Sequence, residues 1–92
     1  MNVEDQVGIG TEAKADQNRT LTFGDKAVGL TFNPGNNPAV DACKREFAAV
    51  IDRMNTLRTM HPSQEVKRMA SVAITEVQTA QMWAVKAITW KD

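Results

Sequence analysis

The sequence predicts an all-α fold, an antiparallel two-helix hairpin, on three observations. The stretch from Pro62 to Trp90 contains no glycine and no further proline, so nothing inside it breaks a helix. The stretch from Asn37 to Arg58 carries apolar residues at helical spacing behind a strong helix-start signal. Only Arg58 to Pro62 separates the two, and a connection that short lays consecutive helices antiparallel. Helices are expected over about 38–58 and 62–90, within a helical-hairpin domain spanning 20–92. A short helical or lid segment is expected to precede them, and a flexible N-terminal arm to occupy 1–19.

The arm is polar, holds Gly8 and Gly10, and shows no apolar period. Gly8-Ile9-Gly10 is no phosphate loop, because neither a strand before it nor a helix after it is indicated. MNVEDQVGIG lacks a basic region and an apolar run, so no signal peptide is expected.

Residues 20–37, TLTFGDKAVGLTFNPGNN, hold Phe23, Phe32 and three of the five glycines. One or two helical turns fit from Thr22 or Phe23 through Leu30, interrupted at Gly29. Asn33-Pro34-Gly35 suits a type II turn, with positive φ at Gly35. The segment is too apolar to float free and too broken for a long element. It is expected to pack on the hairpin as a lid.

In the first long helix, Asn37 suits the N-cap and Pro38 the first helical position. Val40, Cys43, Phe47, Val50, Ile51, Met54 and Leu57 form its apolar stripe, widened by Ala39, Ala42, Ala48 and Ala49. Asp41 and Arg45 are spaced for a surface ion pair, which contributes only ~0.3–0.5 kcal/mol. His61 and Ser63 are both candidate caps for the second helix, with Pro62 or Gln64 as its first residue. There Val66, Ala70, Ala73, Val77, Ala80, Ala84 and Ala87 recur at steps of four and three, and this stripe is expected to face the first helix. Met69, Ile74, Met82, Trp83, Val85, Ile88 and Trp90 lie off it. A helix apolar on several sides is normally buried on several sides. A symmetric homo-oligomer is therefore expected, with the Met82, Trp83 and Trp90 surface meeting another copy.

Composition narrows the function. Eleven basic and eleven acidic residues cancel, so no duplex nucleic-acid partner is expected. No apolar run approaches about 18 residues, so no membrane span is expected. The single cysteine, Cys43, lies among apolar residues and reads as a small core hydrophobe. The single histidine, His61, falls in the hairpin turn. Neither a metal-ligand cluster nor a nucleophile with a visible base is present, so no enzyme and no cofactor are expected. Asp52 and Glu76 are conceivable as a carboxylate pair, but nothing fixes their separation.

Two polar features remain. Thr75, Glu76, Gln78, Thr79 and Gln81 interrupt an otherwise apolar helix. They read as bonds across helices that fix register between protomers, or as groups facing a polar ligand. The basic pairs Lys44-Arg45 and Lys67-Arg68 lie near the starts of the two helices, hence at opposite ends of an antiparallel hairpin. Phe32 can stack on a base and Asn33 can bond a base edge, close to Lys44.

KAVGLTFNPGNN, then a helix, a short loop and VAITEVQTAQMWAVKAITWKD, together resemble the phage anti-CBASS and anti-Thoeris helical-hairpin family. The resemblance covers about residues 22–92 and is most specific over Ala73–Trp90. It implies a sponge. Members bind cyclic oligonucleotides, or related cyclic ADP-ribose signals, in the host cell cytoplasm without degrading them, and immune effectors go unactivated. It also implies a homo-oligomer, often a hexamer, with cyclic dinucleotides held between protomers and cyclic trinucleotides at a three-fold axis. Phe32, Asn33 and Lys44 match the aromatic, amide and lysine of the dinucleotide pocket. Arg68 matches the arginine of the trinucleotide pocket, and Lys26 is a further ligand-binding candidate. The chain has no tyrosine, so a contact made by a tyrosine hydroxyl is missing here. The alternative is a structural or regulatory helical oligomer of a phage that binds a protein partner.

Overall fold

Three helices, and no strand among the described residues, follow from the breakers and caps of this chain. They are α1 (Phe23–Ala27), α2 (Pro38–Met60) and α3 (Gln64–Thr89). The computed structural model describes residues 20–92, and the arm expected over 1–19 lies outside the described residues. Asn37 caps α2, its side chain accepting from the backbone N–H groups of Ala39 and Val40, with Pro38 in the first position. Ser63 caps α3 by accepting from the Val66 N–H. His61 instead closes the end of α2, and its Nδ1 accepts from the Ser63 N–H at 3.0 Å. The two long helices pack on one another, and α1 lies on α2.

All three segments contribute to the core. Ile51 is fully buried in α2 beside Ala48, Ile74 comes from α3, and Val28 and Leu30 come from the stretch after α1. Leu21, Ala27, Phe47, Met54 and Val77 pack around them. Apolar burial of this kind contributes about 25 cal/mol per Å² removed from water.

The third participant changes which faces are buried. On α2, Lys44 lies in the buried row with Val40, Ala48 and Ile51, whereas Val50 and Leu57 of the expected stripe are exposed. On α3, Ile74 and Gln81 are buried with Ala70, while Ala80 and Ala87 are exposed. The packed face thus keeps Ala70 and Val77 of the alanine row but turns toward Ile74 and Gln81, leaving Ala80 and Ala87 outside it. Val28 and Leu30 need a large partner beneath them, and Ile74 supplies the volume that alanine cannot.

The contact of α1 with α2 depends on Gly24. A Cβ there would fall 2.1 Å from the Ala48 carbonyl oxygen and 2.9 Å from the Asp52 Cγ. The nearest obstacle is backbone, which cannot swing away. Gly24→Ala is therefore expected to lower stability by about 1–3 kcal/mol through overpacking. Urea unfolding would register this as a lower midpoint.

Candidate functional site

The segment from Thr22 to Asn37 is built by local capping before any long-range contact is made. Thr22 and Asp25 form a reciprocal capping box: the Asp25 N–H donates to Thr22 Oγ1, and the Thr22 N–H donates to Asp25 Oδ2, both at 3.0 Å. At the other end, Gly29 takes φ 63°. This lets its N–H reach the Lys26 carbonyl and the Leu30 N–H reach the Asp25 carbonyl, the two bonds of a Schellman motif. Leu30, just past the cap, is the buried residue such a motif usually carries.

The next turn differs from the one the sequence predicts. The Asn36 N–H donates to the Asn33 carbonyl at 2.9 Å, so a turn spans 33–36. Positive φ falls at Asn36 (50°), and Gly35 is not among the positive-φ residues. Asparagine tolerates this region well. The cause is the Asn33 side chain, whose Nδ2 donates to the Asn37 carbonyl and whose Oδ1 accepts from the Asn37 N–H. That pair of bonds draws Asn37 back over the turn and places the left-handed residue just before it.

Long-range bonds then fix the segment to the hairpin. Lys44 is 5% exposed, and its Nζ donates to the carbonyls of Gly29 (2.9 Å) and Phe32 (2.5 Å). The same ammonium lies 5.6 Å from the Phe32 ring centroid, within cation–π range. Burial pushes the Lys44 pKa down from its ordinary value, and the neighbouring Cys43 opposes this. Asp52 Oδ1 accepts from the Gly24 N–H at 2.6 Å, and Gln78 Nε2 donates to the Ala27 carbonyl at 3.1 Å.

The structure brings Phe32, Asn33 and Lys44 together but gives them different duties. Phe32 is 71% exposed and presents its ring outward. The Asn33 amide closes its own turn, and Lys44 holds main-chain oxygens. Lys26 is exposed on α1. Arg68 stands apart near the start of α3, exposed and paired with Glu65 through Nε (3.1 Å) and Nη2 (2.6 Å). That bond holds the Glu65 carboxyl below its ordinary range. Roughly 24 Å of α2 axis, at 1.5 Å per residue, separates Lys44 from the turn that leads to Arg68.

Sequence reasoning missed two contributors. Asp52, weighed above with Glu76, serves the first turn of α1. In the polar run of α3, Gln78 reaches α1 of its own chain, while Thr75 and Thr79 bond back to carbonyls four residues earlier. A glutamine one residue past the half-buried Val77 and an aspartate one past the buried Ile51 are the signals that point to them.

Arg58 is a further surprise. Its guanidinium lies 5.4 Å from the Phe23 ring centroid, Nη2 donates to Asn55, and Nε is buried without a partner. Among the described residues, no group of three or more His, Cys, Asp or Glu is placed to hold a metal ion, and no helix is long and apolar enough to cross a membrane.

Cys43 is a free, half-buried thiol whose pKa is raised, first by burial and then by Glu46. Fewer thiolates at neutral pH mean slower alkylation. Iodoacetamide is expected to modify native Cys43 more slowly than the urea-unfolded chain, as followed by mass spectrometry.

A family model described as the Acb2/Tad1 hairpin domain matches residues 25–89, which is most of the chain. No curated protein and no solved structure matches.

Proposed function

From the premise that this chain belongs to the Acb2/Tad1 hairpin-domain family, we propose that it sequesters cyclic oligonucleotide immune messengers without degrading them. The ligand is a cyclic dinucleotide, a cyclic trinucleotide, or both, with cyclic ADP-ribose-type signals as related candidates. The family is associated with sequestering cyclic nucleotide signals. By holding the messenger in the host cytoplasm, the protein lets a phage evade CBASS- or Thoeris-type defence.

The observation that carries this reading beyond membership is Phe32. A phenylalanine left 71% exposed on a turn tied down by its neighbours is an ordered stacking face. Aromatic stacking of this kind holds a base at about 1–3 kcal/mol. Asn33 and Lys44 build the edge behind the ring, and Lys26 supplies an exposed cation for phosphate. Arg68, on the far part of the hairpin, belongs to a separate pocket formed where protomers meet. Balanced overall charge suits a small anion better than a polyanionic duplex.

The assembly is a symmetric homo-oligomer, with a hexamer as the working stoichiometry. Met82, Trp83 and Trp90 are each more than 60% exposed. Lys86 Nζ lies 5.2 Å and 5.7 Å from the centroids of the two indoles. Covering this surface with another copy accounts for its apolar character. The same surface supports a second reading, a helical oligomer that binds a protein partner and no nucleotide.

Calorimetric titration with a panel of cyclic di- and trinucleotides separates the readings. Native mass spectrometry gives stoichiometry, and denaturing the complex recovers the ligand. Binding with recovery of intact ligand is expected. No binding at tens of micromolar, or recovery of a cleaved product, counts against the proposal.

A further inference from the structure

Residues 22–32 form a problem of stability. α1 is five residues long, far below the length at which a helix persists alone. Its local caps are therefore supplemented from outside. The bonds that supplement them share one design: side chains of the long helices grip the segment's main chain. Asp52 accepts the Gly24 N–H, Gln78 donates to the Ala27 carbonyl, and Lys44 donates to the Gly29 and Phe32 carbonyls.

Lys44, Ala48 and Asp52 occupy one row of α2 at steps of four, so they lie above one another on a single face. Gly24 seats against the Ala48 carbonyl between the other two. The polarity of the row matches the segment above it. A carboxylate meets an N–H of the first turn of α1, and an ammonium meets carbonyls beyond its last turn, the ends where each charge is favoured. Gln78 adds a bond from the other long helix, so both arms of the hairpin hold the segment.

We infer that Lys44, Asp52 and Gln78 are positioning residues, which hold residues 22–32 by their main chain and thereby fix where the Phe32 ring stands for a base to stack on. This rests on the reading of Phe32 as the ligand-facing ring. Lys44 is then not a phosphate contact. Reaching a ligand would take its ammonium off the Gly29 and Phe32 carbonyls, and the residue is 5% exposed. Contact with ligand phosphate falls to exposed cations, of which Lys26 is in the same segment. The hydrogen bonds of the row go to backbone of the segment, and the Lys44 ammonium also lies 5.6 Å from the Phe32 ring centroid, so the row sets the shape of the segment and backs its exposed ring.

The test compares Lys44→Met and Gln78→Leu with wild type and with Lys26→Met, all in the full chain. Native-state hydrogen exchange without ligand reads the amides of Val28, Leu30 and Phe32, each bonded within the segment. Titration with a cyclic dinucleotide at several salt concentrations reads affinity and its salt slope. In Lys44→Met and Gln78→Leu, exchange at those three amides is expected to rise about tenfold or more, with the middles of α2 and α3 unchanged. Affinity is expected to fall about tenfold with the salt slope intact, whereas Lys26→Met makes the slope shallower.

Unchanged exchange in the segment, with affinity and slope falling together in Lys44→Met, would make Lys44 a ligand contact and overturn the inference. Faster exchange throughout α2 and α3 in both variants would also overturn it, as a loss of general core stability. Should wild type bind no cyclic nucleotide, the functional reading fails, and the exchange data still decide whether these side chains hold the segment.

Discussion

Phe32→Ala is expected to weaken cyclic dinucleotide binding by about five- to 150-fold, from the ~1–3 kcal/mol of one base stacked on an aromatic ring. The same substitution should cost the free protein little. The ring is 71% exposed, so its removal opens no cavity. What the fold loses is the face 5.6 Å from the Lys44 ammonium, about 0.5–1 kcal/mol for a cation–π contact of this exposure. The turn itself is closed by the Asn33 amide and by carbonyls that Phe32→Ala leaves in place. Calorimetry with the tightest ligand of the panel reads the first effect, and urea unfolding without ligand reads the second. Phe32→Trp preserves a stacking face and should keep most of the affinity. Equal affinity for Phe32→Ala and wild type would remove the ring from the site.

How far the sequence speaks for this site depends on which interactions are local. The hairpin is legible because its signals lie within a few residues: Asn37 and Pro38 start one helix, Ser63 starts the other, and no breaker follows. The short helix is legible for the same reason, since Thr22 and Asp25 answer each other three residues apart. The packed faces are less so. A stripe of alanines predicts close approach of two helices, but three segments share this core, and Val28 and Leu30 demand Ile74 beneath them.

Lys44 carries the same lesson. As a residue type it reads as a charge for water or for a phosphate. Its position, four after Val40 and four before Ala48, places it on the buried row, and only a folded partner rich in free carbonyls makes that tolerable. Gln78 and Asp52 bond across 51 and 28 residues, separations at which a single sequence carries no trace of pairing.

Ile51→Ala is expected to be the most destabilising single truncation of the hairpin. Ile51 is fully buried where all three segments meet, so removing its three outer carbons leaves a cavity with walls from α2, α3 and the residues after α1. Large-to-small changes at such sites cost about 2–5 kcal/mol. A core built from some seventy residues rarely supplies more than ~3–5 kcal/mol alone. An isolated protomer carrying Ile51→Ala therefore stands near the midpoint of unfolding at room temperature. Association changes this, because any partner that binds only the folded protomer adds stability that grows with its concentration.

Circular dichroism melts from about one to about a hundred micromolar separate the two situations. If copies cover the Met82, Trp83 and Trp90 surface, the variant is helical at the upper concentration and its Tm falls steeply on dilution. A Tm independent of concentration would mean that the hairpin stands on its own core and that those tryptophans face something other than a second copy.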